Sequence, residues 1–200
     1  MIIVIGLGYY GGIHYFSSMV LAIYLLFNLL FRKGHQGLSH KIGGVSEAAL
    51  SPITGMVREV AAIESHPLFG NNLVRVSIQK GWFDAANLFV PLTSEVSNRH
   101  IVERQTATPE VGEVLIFRCP QGTKVGLHLL RSRFGYFAKN WLEIGDRGER
   151  GANFGFFPFR GTVLLYLPNS YRILVSEGEK IFGDETAIAV PPASNNREKE

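Results

Sequence analysis

In the stretch GTVLLYLP, residues 161–168, apolar residues recur at every second position, as they do in a β-strand that buries one face. Successive side chains of a strand point to opposite faces, so Val163, Leu165 and Leu167 are predicted to face inward together. Other short apolar runs, separated by turn signals such as FGNN, PQG, IGDRG and SEGE, lie along the chain. They are GMVREVAAI (55–63), LVRVSIQ (73–79), NLFVPL (87–92), EVLIFRC (113–119), KVGLHLLR (124–131) and RILV (172–175). The pattern predicts a mainly β domain, barrel-like or sandwich-like, with the quoted strand and residues 51–63 at its centre.

Near the start of the sequence lies an apolar segment. Residues 1–31 contain no Lys, Arg, Asp or Glu, and within them the run IHYFSSMVLAIYLLFNLLF extends for 19 residues, from Ile13 to Phe31. A helix of about 20 residues spans the ~30 Å of hydrocarbon in a bilayer, so the run predicts a transmembrane helix. A cleaved signal peptide would carry basic residues before its apolar core, whereas here Arg32 and Lys33 follow it.

Two geometries of this membrane anchor agree with the sequence. The run can cross once, or it can form a hairpin with residues 2–12, IIVIGLGYYGG, which end in two glycines suited to a bend. In both geometries Arg32, Lys33 and Lys41 lie where the chain leaves the membrane. Basic residues beside a span favour the cytoplasmic side, so the β domain is expected to face the cytoplasm.

The 200 residues are therefore expected to divide into four parts. These are a membrane anchor (1–31), a linker (32–49), a β domain (50–190) and a disordered tail (191–200) that is polar and begins with two prolines. The net charge of +3 is far from the basic excess of nucleic-acid-binding domains, so no nucleic-acid partner is expected.

Cysteine and histidine usage bounds the kinds of site that the chain can form. Cys119 is the single cysteine, which excludes an internal disulfide and a multi-cysteine zinc or iron–sulfur site. It alternates with Phe117 along a predicted strand and is expected to be packed. The six histidines show no tight ligand spacing apart from His35 and His40, which lie in the linker. No metal site is therefore predicted.

Five segments follow one another in an order that is typical of one enzyme family. They are LLFRK at the end of the apolar run, LSPITG (50–55), RVSIQKGWFDAANLFVPL (75–92), GDRGERGANFGFFPFRGTVLLYLP (145–168) and RILVSEGEKIFGDETAIAV (172–190). The set resembles the phosphatidylserine decarboxylase family, particularly its short, membrane-anchored form. The corresponding family segments are a Phe-Arg pair, S-P-A-D-G, a strand leading to F-D-V-H, R-G-E-R-F-G-x-I-x-F-G-S-x-V-x-x-x-L-P, and a closing region with Gly-acid pairs.

The resemblance implies a chemistry that the family performs first on itself and then on a lipid. A serine hydroxyl, activated by a His that an Asp supports, attacks the carbonyl of the preceding glycine. The resulting ester eliminates, and the new N-terminus becomes a pyruvoyl group. That ketone condenses with the amine of phosphatidylserine and stabilises the carbanion left when carbon dioxide departs, which yields phosphatidylethanolamine. The implied partners are the phospholipid membrane and phosphatidylserine.

The residues that carry this chemistry in the family are replaced in the present sequence. Gly161 is kept, but Thr162 stands at the serine position, and self-cleavage there would leave a 2-oxobutanoyl group as the ketoacyl cofactor in place of pyruvoyl. The family's Asp corresponds to Thr54, and its His corresponds to Ala86. Thr162 therefore retains a hydroxyl without an evident base.

Several other side chains are candidates for supporting roles. His66, His100 and His128 are the remaining histidines that could act as a base, although packed or surface positions are the commoner fate of such residues. Arg131 and Arg133 are the candidate residues for a phospholipid head group. Three further arginines could meet an anionic membrane surface: Arg147, Arg150 and Arg160.

Two functions of different classes stay open on the sequence. One is a carboxy-lyase that uses a ketoacyl group made at Gly161-Thr162. The other is a non-catalytic relative that binds phospholipid or a membrane partner. The state of the chain at residue 161 separates them, because the lyase cannot exist without a cut there.

Overall fold

Four stretches of the chain are described by the computed structural model: residues 14–30, 48–102, 111–132 and 137–192. Several sequence-based predictions lie outside these ranges. They are the hairpin segment 2–12, the linker up to residue 47, the tail from residue 193 and the head-group candidate Arg133.

Helix α1, His14–Leu30, comprises most of the predicted anchor. Its 17 residues contain no Gly or Pro and are rich in Leu and other residues that a helix accepts, which explains why the segment is helical. The side chains from Tyr15 to Phe27 are mostly exposed. Within the part of the chain that the structure describes, no helix is both long enough and apolar enough to cross a membrane. The transmembrane span therefore stays a prediction.

The remainder of the described chain is built from β-strands joined by turns. In chain order these are β1 Ala49–Leu50, β2 Gly55–His66, β3 Gly70–Lys80, β4 Asn87–Phe89, β5 Ser94–Val102, β6 Gly112–Arg118, β7 Lys124–Leu130, β8 Lys139–Asn140, β9 Arg147–Gly148, β10 Asn153–Phe156, β11 Gly161–Pro168, β12 Arg172–Ile173, β13 Lys180–Ile181 and β14 Ala187–Val190.

Eight of these strands form one antiparallel sheet in the order β13-β2-β3-β11-β7-β6-β5-β9. Among the described strands, the end strands β13 and β9 do not pair with each other, so the sheet is an open, curled half-barrel. Two three-stranded sheets, β1-β14-β12 and β4-β10-β8, accompany it. The predicted mainly β fold is confirmed, and its barrel character takes the form of this half-barrel.

Strand β11 lies in the middle of the large sheet, as the sequence predicted. It pairs with β3 from Gly161↔Lys80 to Pro168↔Leu73 and with β7 on its other side. The prediction that residues 51–63 form a second central strand is wrong. Strand β2 covers most of that range and lies next to the edge, because the two-residue strand β13 pairs only with its first residues.

The predicted inward face of β11 is confirmed by the burial of its side chains. Val163, Leu165 and Leu167 are fully buried in the main core, which fills one face of the sheet. Leu164 and Tyr166 are also buried, in a smaller cluster on the other face together with Phe69. A strand covered on both faces reads as a continuous apolar run rather than a strict alternation, which is what VLLYL shows.

The structure differs from the sequence-based prediction at β5, in the large sheet, and at β4, in one of the small sheets. Strand β5 was not predicted, because its sequence SEVSNRHIV is mostly polar and only its first and third residues, Ser94 and Val96, are buried. The predicted strand NLFVPL contracts to β4, which ends two residues before Pro91, a residue with no N–H to donate. Cys119 is buried as expected, and burial raises the pKa of its thiol.

Substituting the central core residue tests this architecture. Leu165→Asp places a carboxylate at a fully buried position between β3 and β7. The side chains of the core cluster around it are apolar, so they offer the carboxylate neither an opposite charge nor a hydrogen bond. The cost of several kcal/mol is comparable with the whole stability of a domain, so the variant is expected not to fold. Loss of near-ultraviolet circular dichroism and of a cooperative thermal transition would report this.

A matched substitution separates burial from the mere introduction of charge. Ile101 lies in β5 and is 67% exposed, so Ile101→Asp is expected to change stability by less than about 1 kcal/mol. A Leu165→Asp protein that unfolds cooperatively at the same temperature as Ile101→Asp would contradict the placement of β11.

Candidate functional site

The bond between Gly161 and Thr162 lies at the beginning of β11. Gly161 is opposite Lys80 and Thr162 is opposite Gln79 in the ladder with β3. Gly161 is buried, and a Cβ added there would lie 2.2 Å from the ring of Phe157, so the packing admits only glycine. Thr162 is half-buried and lines a cavity. The structure thus places the predicted cleavage bond at the rim of a cavity.

The larger of two neighbouring cavities is the one that Thr162 lines, with a volume of about 530 Å³. Its lining consists of Gln79, Trp82, Arg131, Ser132, Arg160, Gly161 and Thr162. Two guanidinium groups and two hydroxyl groups are therefore present around one space. Among the described residues, this lining contains no carboxylate and no imidazole.

The smaller cavity has a volume of about 290 Å³ and adjoins the larger one. The two share Gln79, Trp82 and Arg160. The rest of the smaller lining is Met56, Arg58, Lys80, Gly81, Phe83, Asp84 and Lys180. Three of its walls are thus the start of β2, the end of β3 with the following loop, and the start of β13.

A lysine buried beside the smaller cavity is its most unusual residue. Lys80 has no exposed surface, and its Nζ donates a hydrogen bond of 3.0 Å to the carbonyl oxygen of Gly81. Burial lowers the pKa of Lys80 to about 8, while the charge of Asp84 acts to raise it and that of Lys180 to lower it further. The amine is still mostly protonated at pH 7, so it contributes positive charge to this site.

Asp84 is the single carboxylate of the two described linings, and both of its oxygens are engaged. Oδ2 accepts a hydrogen bond of 2.7 Å from the Gly81 N–H, and Oδ1 accepts one from Nζ of Lys180. The pair with Lys180 joins residues 96 positions apart in the sequence. Asp84 therefore fixes the loop after β3 to β13 and is not positioned to take a proton from Thr162.

The amine of Lys80 and the hydroxyl of Thr162 lie on opposite faces of the sheet. Neighbouring residues of a strand alternate between faces, so Thr162 shares a face with its partner Gln79, whereas Lys80 shares the core face with Gly161. Lys80 does not serve as a base for Thr162 in this arrangement.

Thr54 and Ala86, which the resemblance matches to the family's Asp and His, are groups without the capacity to act as acid or base. Thr54 Oγ1 accepts a hydrogen bond of 3.0 Å from the Gly183 N–H. Ala86 is fully buried, and its carbonyl accepts a hydrogen bond of 2.7 Å from the Phe157 N–H. Both residues hold the backbone around the site, but neither can accept a proton from a hydroxyl.

The three candidate histidines do not line either cavity. His128 is buried on β7, and burial together with the charge of His66 lowers its pKa to about 4, so it is neutral at pH 7. His66 stacks on Phe69 with ring centroids 4.5 Å apart, and burial and Arg75 lower its pKa. His100 lies on β5. Their packed positions explain them without a catalytic role.

The candidate arginines are divided by the structure. Arg131 lines the larger cavity, with its guanidinium carbon 5.2 Å from the ring centroid of Phe137, and Arg160 lines both cavities. Arg147 pairs with Glu95 at the β5–β9 edge. Arg150 donates a hydrogen bond to the carbonyl of Ala48. Only the first two therefore belong to the site.

Three cationic lining residues were not identified as site residues from the sequence: Arg58, Lys80 and Lys180. A signal for one of them exists, because Lys80 continues the series Val74, Val76 and Ile78 on the core-facing side of β3. A lysine at such a position is seldom buried without a partner. The other two come to the site only through the pairing of β13 with β2.

Similarity to curated proteins covers most of the chain. A phosphatidylserine decarboxylase proenzyme of Symbiobacterium thermophilum is 27% identical over 189 residues, which cover 90% of this chain and 86% of the relative. One of Wolbachia sp. subsp. Brugia malayi is 23% identical over 171 residues, which cover 79% of this chain and 74% of the relative. One of Polynucleobacter asymbioticus is 40% identical over a shorter segment of 52 residues.

No protein-family model matches the chain, and no solved structure matches it significantly. The alignments to proenzymes of several bacteria nevertheless cover from 74% to 90% of the chain. This similarity over most of the chain supports membership of the phosphatidylserine decarboxylase family.

Proposed function

We propose that this protein binds the head group of a membrane phospholipid and does not cut itself at Gly161-Thr162. The observation that carries the proposal is the lining of the larger cavity, which holds Arg131 and Arg160 but no described imidazole or carboxylate. Guanidinium groups bind phosphate through paired, charge-assisted hydrogen bonds. Self-cleavage instead requires a base beside the hydroxyl. The lining therefore supports anion binding better than self-cleavage.

The names of the curated relatives support a membrane lipid as the partner. They are phosphatidylserine decarboxylase proenzymes, which places the family in phospholipid metabolism. A relative that keeps the head-group site while losing the self-processing residues would act as a lipid-binding protein within that metabolism.

A decarboxylase that uses a 2-oxobutanoyl group made from Thr162 is the second candidate function. It is favoured by the hydroxyl of Thr162, which lies beside Gly161 at the cavity. Against it stand Ala86 and Thr54, which replace the family's His and Asp. Each missing proton-transfer group typically costs about 10²- to 10⁴-fold in rate, so the loss of both is expected to make cleavage negligible.

We also propose that the apolar segment around α1 holds the protein in the membrane with the β domain on the cytoplasmic side. The apolar side chains of α1 are largely exposed, and exposed apolar surface of this extent is stabilised by lipid. Arg32 and Lys33, which follow the apolar run, support the orientation.

Membrane fractionation tests the anchor. The full chain is expected to sediment with membranes and to stay there in about 1 M salt, where the screening length is only ~3 Å, because apolar burial is insensitive to salt. Detergent is expected to release it. Complete release by salt alone would show that charge, and not α1, holds the protein.

Intact mass tests the state of the chain at residue 161. The purified protein is expected to give the mass of one uncut chain of 200 residues. Two chains, 1–161 and 162–200, with a ketoacyl group at the start of the shorter one, would overturn the non-catalytic proposal and establish the self-processing lyase.

The variant Thr162→Ser sharpens this experiment. Serine restores the family's nucleophile and removes the crowding methyl group, yet it leaves Ala86 and Thr54 in place, so the variant is also expected to remain uncut. Thr162→Val, which has no hydroxyl, is the matched control. Rapid cleavage of Thr162→Ser but not of Thr162→Val would reveal a base outside the described linings.

A further inference from the structure

We infer that the two adjoining cavities form one site for a phosphomonoester, carried by a lipid such as phosphatidate, in preference to a head group that bears an ammonium. The inference rests on the proposed function and deepens it by naming the head-group class. It depends on the charges around the two cavities and on the hydrogen bonds that the one carboxylate among them already accepts.

Positive charge dominates the combined lining. Five cationic residues line the two cavities: Arg58, Lys80, Arg131, Arg160 and Lys180. They are opposed by a single described carboxylate, that of Asp84. Because Arg160 lines both cavities, the cationic groups surround one connected region rather than two separate ones. Such a region favours a ligand with more than one negative charge.

An ammonium group on the ligand would find no suitable partner in this lining. Asp84 already accepts hydrogen bonds from the Gly81 N–H and from Lys180. The uncharged polar side chains that remain, Gln79, Ser132 and Thr162, lie among the cations. A phosphatidylserine or phosphatidylethanolamine head group would place its own positive charge close to like charges, which is unfavourable.

A phosphomonoester suits the same surroundings. Its second pKa is about 6, so it carries close to two negative charges at pH 7 and presents three acceptor oxygens. Arginine and lysine side chains are the usual partners of such oxygens, arginine through a planar fork and lysine as a point charge. The buried amine of Lys80 becomes less costly when a dianion lies nearby.

Apolar groups at the cavities favour a lipid as the carrier of the phosphate. Phe83 is 62% exposed and lines the smaller cavity together with Met56 and Trp82. The ring of Trp82 also lies 6.2 Å from that of Phe159. A soluble phosphomonoester would leave these side chains in water, whereas the glycerol and first acyl carbons of a lipid would cover them.

Binding to the full chain in detergent micelles tests the inference. The probes are dioctanoyl phosphatidate, dioctanoyl phosphatidylserine, dioctanoyl phosphatidylcholine and glycerol 3-phosphate. Trp82 lies in both cavities, so its fluorescence in a Trp141→Phe background reports occupancy. We expect phosphatidate to bind at least tenfold more tightly than phosphatidylserine, and phosphatidylcholine and glycerol 3-phosphate to bind more weakly still.

Charge-matched variants assign the binding to these residues. Arg160→Gln is expected to weaken phosphatidate binding about tenfold or more, because it removes charge-assisted hydrogen bonds in both cavities. Lys80→Met removes one charge at similar size and is expected to act in the same direction. Arg147→Gln removes the same charge from a side chain that is 86% exposed at another edge of the sheet, and it is expected to bind normally.

The pH dependence of binding gives a second readout for Lys80. Asp84 and Lys180 act on the charge of its amine, and Arg58 and Arg160 line the same cavity. Its pKa of about 8 means that the amine loses its charge as the pH rises through that value. A bound dianion favours the protonated amine, so affinity for phosphatidate is expected to fall above about pH 8. Lys80→Met is expected to lack this fall.

The outcomes separate the inference from the proposed function. Phosphatidylserine binding as tightly as phosphatidate would overturn the inference and leave the phospholipid-binding proposal standing. Equal affinity for glycerol 3-phosphate would support the phosphomonoester site but overturn the lipid as its carrier. No binding of any phospholipid would overturn both, and unchanged binding by Arg160→Gln and Lys80→Met would overturn the assignment to these cavities.

Discussion

The ladder between β11 and β3 is the constraint on which the rest of the structure depends. Its register from Gly161↔Lys80 to Pro168↔Leu73 fixes which side chains of the two strands share a face. Both faces of β11 are buried, in different clusters, so a slip by one residue would move Val163, Leu165 and Leu167 out of the main core and put Leu164 and Tyr166 in their place. The same register sets the geometry of the site at its end.

At that end the ladder separates two chemistries by placing them on opposite faces. Thr162 and Gln79 lie on one face of the sheet, and Lys80 lies on the core face. The hydroxyl that could attack Gly161 is therefore kept apart from the amine with the lowered pKa. Without an imidazole at Ala86, the described site has cations that can hold an anion but no group that can activate the hydroxyl.

Local patterns of the sequence were sufficient for the central part of the fold. The alternation of Val163, Leu165 and Leu167 predicted a strand and its buried face, since burial acts on each residue of a strand according to its parity. Strand β5 was not predicted because most of its residues are polar and only two of them are buried, so its sequence carries no apolar alternation. The position of β2 next to the edge strand was not predicted either, because the order of strands depends on pairings between distant segments.

The residues of the site also divide into those that local sequence patterns indicated and those that only the pairing of distant segments brings together. Gly161 and Thr162 were indicated by their place in ordered motifs and Arg131 as a candidate for a head group, and all three line the larger cavity. The contribution of Lys180 depends on an ion pair with Asp84 across 96 residues, which no local pattern reports. The excess of positive charge depends on the pairing of β2, β3 and β13, which brings Arg58, Lys80 and Lys180 to one cavity.

The central claim is that the protein has a head-group site but does not make a catalytic ketoacyl group by cutting itself. Carbon dioxide release tests this claim most directly. The full chain in detergent micelles is supplied with phosphatidylserine that carries a labelled serine carboxyl. The account predicts no release above a protein-free blank, since no described group can activate the hydroxyl of Thr162. Continued release over many turnovers per chain, lost in Thr162→Val, would contradict it.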